Sequence, residues 1–585
     1  AKCLCAEKIT TPNSVLPFLP LMIGALAAVF LRGWLRSAII LAAPIVGAVN
    51  LMGLEHGVFW SIEFMGYALE PVRVDKLSMM FGYLFHLASF IAVLYALHVK
   101  DTVQHVAGLA YAASAVGAVF AGDLLTLFVF WELLALTSVF LIWARRTERA
   151  YSSGMRYLII QVLSGVLLLA GLLIFAQVND SLLFNQISLQ HDGIAQIGAW
   201  LIFFAFGIKC AFPFMHTWLT DAYPEATPSG TVFLASFTTK VAVYAFARGF
   251  PGEEILVWIG VTMACFPIFF AVIENDLRRV LAYSLINQIG FMIVGIGIGT
   301  AIALNGAVAH AFNDVIFKGL LMMTMGAVLH MTGKINGSEL GGLYKSMPKT
   351  TILCIVGAAS ISAFPLFSGF VSKSMIMAAA VAEGYDVVWL LLLFAAAGVF
   401  HHAGIKIPYF AFFAHDSGIR TTEPPKNMLI AMTLAAIACV VLGSFPAQTV
   451  YALLPWEHSY QPYDVTHVLT QLQLLFFSAL AFVWLNLRNM YPPELPSTNL
   501  DTDWFYRRLA PNVLTRVGGA IYAAYATVER SIFASVKRLV HNSYDVESGE
   551  PKGYFGKLWP IETMVVWVAV LLTVYLVIYY IPGSW

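Results

Sequence analysis

Apolar stretches of about twenty residues recur along nearly the whole chain, and no other feature restricts its folding as strongly. In hydrocarbon a backbone must satisfy its own hydrogen bonds, so a helix of about 20 residues is the unit of crossing. About sixteen such stretches lie between short polar or Pro/Gly turns: residues 15–31, 35–54, 76–97, 106–121, 124–144, 156–178, 193–222, 229–249, 254–273, 280–299, 304–331, 350–380, 387–413, 428–453, 467–488 and 561–582. Composition agrees, because 59% of the 585 residues are hydrophobic and 11% charged, against roughly 45–50% and about 25% in soluble domains. The pattern predicts an all-α integral membrane protein of about sixteen transmembrane helices, with no room for a soluble catalytic domain.

Net charge is zero, so nothing in the bulk charge points to a nucleic acid or an acidic partner. The information lies in where the charges sit. Loops after odd-numbered stretches hold Arg32 and Arg36, Lys100, Arg145, Arg146, Arg149 and Arg156, Arg278 and Arg279, Lys334, Lys345 and Lys349, and Arg420 and Lys426. Loops after even-numbered stretches hold Glu55, Glu63, Glu70, Glu253, Glu254, Glu383, Asp386 and Glu457. Base-rich short loops stay cytoplasmic, which places both termini outside, on the periplasmic side of a bacterial or archaeal inner membrane. The start, AKCLCAEKITTPNS, lacks the pattern of a signal peptide. Six cysteines, Cys3, Cys5, Cys210, Cys265, Cys354 and Cys439, are scattered without a CxxC pair or a metal-ligand spacing, so no metal and no cofactor is expected. Only Cys3 and Cys5 are close enough in sequence to suggest a disulfide or a metal role.

Two stretches look broken, at Phe212-Pro213-Phe214 and at Phe364-Pro365-Leu366. Proline removes a helix hydrogen bond, and a broken helix is tolerated in a membrane where it lines a cavity or packs against protein. Both breaks contain Ala-Phe-Pro (211–213 and 363–365) and take the fourth place in successive blocks of five stretches. An odd number of crossings reverses direction, so the blocks form an inverted repeat. The expected organisation is N-terminal helices over 1–104, a first five-helix repeat over 105–250, a second over 251–415, further helices over 416–490, and a lateral segment with a final span over 491–585. Beyond Pro511 apolar residues recur at Val513, Val517, Ile521, Tyr525, Val528, Ile532, Val536 and Val540, with Arg516, Arg530, Lys537 and Arg538 among the polar positions. This stripe predicts an amphipathic lateral helix of near 30 residues, about 45 Å long, along the interface or against partner helices, with a plain surface linker as the alternative.

Charges also fall inside the apolar stretches: Glu132, Lys209, Lys240, His310, Asp314, Lys318, His330, Lys373, His401, His402 and Lys406. Each costs at least about 2.5–3.5 kcal/mol near the bilayer centre, so a series of them marks an ion path by default. Lysine suits such a path because burial and a neighbouring carboxylate pull its pKa in opposite directions, and histidine titrates near neutrality. Structural alternatives exist: a buried pair tying two helices for Glu132 and Lys209, snorkelling for Lys240 and Lys373, and ordinary packing for His330, His401, His402 and His86.

The strings FVFWELLALTSVFLIWARR, GIKCAFPFMHTWLTDAYPEATPSG, FLASFTTKVAVYAFAR, ENDLRRVLAYSLINQIGFM, HAFNDVIFKGLLMMTMGAVLH and FPLFSGFVSKSM resemble the signature stretches of antiporter-like membrane subunits. That family spans Mrp-type cation/proton antiporters, respiratory complex I and membrane-bound hydrogenase complexes. The similarity covers roughly residues 105–415, and GIKIPYF, with Lys406, resembles the D-type subunits. The resemblance implies a hydrated central axis of Glu132, Lys209, Lys240, Lys318 and Lys373, with Glu132 modulating the charge on Lys209, and an ion-translocating subunit that conducts protons, with Na+ exchange. It implies other membrane subunits as partners. One departure stands out: Asn313-Asp314 replaces the family's asparagine–histidine, putting a carboxylate four residues before Lys318, where the two can pair on one helix face.

No HExxH, GxSxG or phosphate loop is present, so no catalysis is expected from this chain alone, although it can be part of a proton-translocating oxidoreductase. The alternatives are a quinone-reducing subunit, opposed by the missing cysteine ligands, and a non-conducting or inorganic-carbon-linked scaffold beside a soluble enzyme.

Overall fold

The computed structural model describes residues 15–190, 192–496, 499–543 and 560–580. Cys3, Cys5 and both chain ends lie outside the described residues. The chain divides into two compact units, 1–499 and 500–585. The first opens with α1 (Leu19–Phe30), α2 (Gly33–Met52) and α3 (Lys76–Ala96). Between α2 and α3, where only a loop was expected, two antiparallel ribbons form: β1 (Gly57–Phe59) pairs with β4 (Val72–Val74), and β2 (Ile62–Phe64) with β3 (Tyr67–Leu69). Four strands of three residues are too short to show as periodicity, although Val, Ile, Phe and Tyr favour them.

There follow α4 (Thr102–Phe120), α5 (Leu124–Trp143), α6 (Glu148–Asn179), α7 (Ile194–Lys209), α8 (Thr217–Ala222), α9 (Pro228–Ser236) and α10 (Thr238–Gly249). A second series comprises α11 (Glu254–Ile273), α12 (Leu277–Ile298), α13 (Ala301–Thr332), α14 (Pro348–Ile361), α15 (Ser368–Ala382) and α16 (Asp386–Val399), the last continuing as π-helix through Phe400–Lys406 and Tyr409–Phe413. Then come α17 (Lys426–Ser444) and α18 (Val465–Leu487). The second unit holds α19 (Ala510–Ser543), 34 residues and so about 51 Å long, and α20 (Ile561–Tyr580). Among the described residues twelve helices have the length and apolar composition to cross a membrane, and α1, α7, α14, α15 and α20 are shorter apolar helices. Their starts follow the sequence: Asp75, Asp101, Asp123, Thr147, Thr227, Asp276 and Asp464 each accept a hydrogen bond from a first-turn amide.

The two series match in detail. Asp123 caps α5 and bridges Leu183, while Asp276 caps α12 and bridges Asn336. Helices α6 and α13 are each 32 residues long. Both breaks carry the same backbone: Ala211 and Phe214 have φ of 61° and 68°, Ala363 and Leu366 have 57° and 75°. At the first, the amide of Phe212 donates to the Gly207 carbonyl and that of Ala211 to Ile208; at the second, Phe364 donates to Ala359 and Ala363 to Ser360. This is a Schellman ending with alanine in the left-handed position that glycine usually fills, and with proline two residues on.

Base-rich loops lie together. Arg36 donates to Thr102 Oγ1 at 2.9 Å, Arg146 meets Asp101 at 3.4 Å, Arg145 meets Glu225 at 3.3 Å, and Arg278 donates to the Ala226 carbonyl at 3.0 Å. Helices α11 and α12 touch along glycines: a Cβ at Gly290 would lie 2.4 Å from the Ala264 amide nitrogen, and one at Gly260 would lie 2.6 Å from that of Val294. Backbones approach this closely only where side chains are absent. Gly290→Ala should therefore cost about 1–3 kcal/mol by overpacking and lower the melting temperature of the detergent-solubilised protein. Gly319→Ala, whose Cβ meets open space, should leave it unchanged.

Candidate functional site

Eight of the charged or imidazole side chains singled out in the sequence are buried in the core. Lys209, Lys240, His310, Asp314, Lys318, His402 and Lys406 are 0% exposed and Lys373 2%. Charges so placed are costly unless protein groups or water in a cavity satisfy them.

Lys209 ends α7, one residue before the first break. Its ammonium donates to the Trp131 carbonyl of α5 and lies 4.7 Å from the centre of the Trp131 ring. Trp131 is itself held, its Nε1 donating to Ser164 Oγ at 2.9 Å. Glu132 is half-buried beside it, and a Cβ at Gly165 would collide with its Oε1. The Lys209 ammonium is thus directed at a backbone carbonyl, with the Glu132 carboxylate within electrostatic reach.

Lys240 lies in α10, just past the interruption between α9 and α10. Its Nζ is 2.6 Å from Asp314 Oδ2 of α13 and 3.2 Å from the Ala235 carbonyl. This corrects the expected pairing of Asp314 with Lys318. The i,i+4 spacing does stack His310, Asp314 and Lys318 on successive turns of α13, but the Lys318 ammonium donates instead to Ser284 Oγ of α12 at 2.8 Å. Asp314 therefore joins two helices rather than two turns of one.

His310 is gripped from two sides, Nδ1 by Ser372 Oγ at 2.9 Å and Nε2 by Gln288 Oε1 at 3.2 Å. Asn313 donates to the Ser368 carbonyl at 2.7 Å, at the second break. Lys373, on α15, donates to the Ile361 carbonyl at 2.7 Å and lies 5.1 Å from the Phe291 ring centre. A cavity of about 390 Å³ reaches Lys373 and is lined by Ser374, Met377, Trp389, His467 and Gln471 among others. At its far end Asp464 Oδ2 is 2.6 Å from His467 Nδ1.

On the π-helical segment after α16, the His402 ring is fully buried and lies within electrostatic reach of Lys318 and Lys406. Segments of π-helix recur at functional sites. His401 is half-buried and packs between the rings of Phe482 and Tyr491. His330 is exposed at the end of α13 against the His98 ring, 5.0 Å between centroids. It stands apart from the buried row in which it was expected. His86 is packed against Gly47, its Nδ1 on the Gly82 carbonyl at 2.8 Å.

Sequence reasoning overlooked the polar residues that hold the charges: Ser284, Gln288, Ser372 and, above all, Glu494, whose Oε1 is 2.9 Å from Lys406. Serines and amides in apolar helices carry no charge penalty to flag them. Glu494 lies beyond α18, outside every apolar stretch.

The family model for the NADH:quinone oxidoreductase/Mrp antiporter transmembrane region matches residues 121–446. The chain is 29% identical over 76% of its length to the A/B subunit of a probable K(+)/H(+) antiporter of Rhizobium meliloti, covering 48% of that protein. It is 28% identical over 57% of its length to the D subunit of a Na(+)/H(+) antiporter of Alkalihalophilus pseudofirmus, covering 71% of it. The chain therefore spans about half the length of the first of these relatives. A chain of an archaeal membrane-bound sulfane sulfur reductase shares the fold with a TM-score of 0.70 at 20% identity, over 96% of this chain and 99% of the other.

The Lys240–Asp314 pair yields a direct test. Lys240→Met leaves a buried carboxylate unpaired and should cost about 3–5 kcal/mol, whereas Lys240→Met/Asp314→Leu removes both charges and should recover most of it. Thermal unfolding of the detergent-solubilised protein reads the difference.

Proposed function

The chain belongs to the NADH:quinone oxidoreductase/Mrp antiporter transmembrane family, and from that premise we propose that it conducts protons along the buried row as one member of a multisubunit membrane complex, exchanging them for Na+. The observation that carries this is the burial of four cations: Lys209, Lys240, Lys318 and Lys373 are all buried, and each donates to a carbonyl or hydroxyl or meets a carboxylate. Four buried cations are costly as scaffolding, and two of them sit at the interruptions of helices. An antiporter-like role accords with the relatives' names, and the partners are other membrane subunits of an Mrp-, hydrogenase- or complex I-type assembly.

In this proposal the sixteen apolar stretches make sixteen crossings, with the base-rich loops inside and both termini outside. The twelve long apolar helices and the five shorter ones occupy all sixteen stretches, which supports the count. Matching caps, bridges and left-handed alanines support two inverted repeats over α4–α10 and α11–α16. Protons enter near Lys240 and pass along Lys209, Lys318 and Lys373. Asp314, shared between the Lys240 pair and the reach of Lys318, is the element that transfers charge between blocks. A lysine keeps its proton while its anion is close and yields it when the anion leaves. The cavity from Lys373 to the Asp464–His467 pair gives the exit.

Reconstituted vesicles holding the complex, with an internal pH dye, test the proposal. Lys209→Ala should reduce ion-driven pH change to the background of protein-free vesicles. Wild-type rates in that variant would sink it.

A further inference from the structure

Residues 488–496, just beyond α18, lie outside any helix, yet they are drawn beneath the π-helical segment. Asn489, at φ 52°, turns it back. Tyr491 stacks on His401 and Phe410, with centroids 5.3 and 6.1 Å away. Pro492, Pro493 and Pro496 then bracket Glu494, and fixed proline φ angles limit how far such a strap can stray, so the carboxylate is delivered with little conformational loss. Asn499 ties the strap down, donating to Glu274 Oε2 at 3.1 Å.

Glu494 is delivered to a cation that already has partners. Lys406 Nζ lies 3.2, 2.6 and 2.7 Å from the carbonyls of Ala271, Val272 and Glu274, at the end of α11, and 2.9 Å from Glu494 Oε1. An ammonium has three N–H donors. Here it faces four acceptors, so three carbonyls suffice to hold it charged and the carboxylate is surplus to that task. A second buried charge adds its own desolvation cost, which a purely structural site would avoid. The other oxygen, Oε2, is buried without a hydrogen-bond partner among the described residues, against Gly337, where a Cβ would come within 3.4 Å of it. Burial raises the carboxyl above its usual range while Lys406 opposes, a balance that suits a group able to take up a proton.

The site also has a way in and a way out. His402, four residues before Lys406 on the same π-helical segment, lies within electrostatic reach of both Lys318 and Lys406. Glu274, tied to the strap, is 3.9 Å from Arg279 in the first turn of α12, at the base-rich face. Lys406 is thereby the end of the row nearest the base-rich face, as Lys373 with its cavity is the end nearest His467.

We infer that Glu494 is a further conducting residue of this chain, the proton-exchanging partner of Lys406 and the port of the row on the base-rich face. The step is a transfer across the 2.9 Å contact. The Lys406 N–H bond breaks and an O–H bond forms on Oε1, leaving a neutral amine and a carboxylic acid. The acid gives its proton to water at that face, and the amine is reprotonated from the His402 side. In the direction of conduction proposed above the step runs the other way: water at that face protonates Oε1, the acid passes the proton to the Lys406 amine, and the row is loaded there as well as near Lys240.

The inference rests on the conducting role proposed above, and the test separates the two. The complex, purified with its partner subunits and reconstituted, is assayed for ion-driven pH change as wild type, Lys209→Ala, Glu494→Gln, Glu494→Asp and Lys406→Met/Glu494→Met. The paired methionine variant keeps the volume without charge and should accumulate at wild-type levels while its transport falls to background. Glu494→Gln should also fall to background, and Glu494→Asp should retain part of the rate. Wild-type transport in the paired variant overturns the inference, as does failure of that variant to accumulate, which would make the pair structural. If Lys209→Ala transports normally the conducting role itself falls; if it is silent while the Glu494 variants transport, only Glu494 is dismissed.

Discussion

An ammonium group enclosed by hydrocarbon has three protons to place and no water to accept them. That constraint organises the chain. The carbonyls of a continuous helix are already engaged four residues on, so acceptors with no other partner occur mainly where helices end. Lys373 donates to Ile361, the last residue of α14, Lys240 to Ala235 at the end of α9, and Lys406 to three carbonyls at the end of α11. The negative end of a helix dipole adds to each contact. Helix ends thus supply the acceptors for these three lysines, while Lys209 shares the Trp131 carbonyl inside α5. Lys318, midway along the unbroken α13, relies on a serine of its neighbour instead.

The same logic explains why each break takes the form it does. A helix that stops inside a membrane exposes carbonyls, and a Schellman ending recaptures two of them with the amides of the next residues. Both breaks do this with alanine at a positive φ, a conformation that costs a non-glycine residue something. The following proline stops the helix from resuming. At the second break the Ile361 carbonyl takes Lys373, and at the first the Ile208 carbonyl also accepts from Trp218 Nε1 at 2.9 Å.

The helices and the placement of most charges were legible in the sequence because both rest on local rules: apolar length, N-terminal caps and the cost of charge. Spacing also put His310, Asp314 and Lys318 on one face of α13. Which partner each would choose was not legible. Asp314 looked toward Lys318, one turn away, yet meets Lys240 from 74 positions earlier in the chain, a contact set by tertiary packing. His330 looked like part of the row because its stretch is apolar, but it falls at the helix end, where exposure is free. Glu494 was invisible for the opposite reason, since its surroundings in the sequence are polar and only the fold buries it. The ribbons β1–β4 were missed because strands of three residues are below the reach of any periodicity.

The glycine contact between α11 and α12 bears on how the second block works. With backbone atoms of the two helices in direct touch over Gly260 and Gly290, no layer of side chains remains between them to slide or repack. The pair behaves as one rigid plank, carrying Ser284, Gln288 and the Lys406 carbonyls at fixed separations. Under the proposed conduction, charge would cross this half of the protein by rotation of side chains on a fixed frame, which is faster than any rearrangement of helices and demands far less of the surrounding lipid.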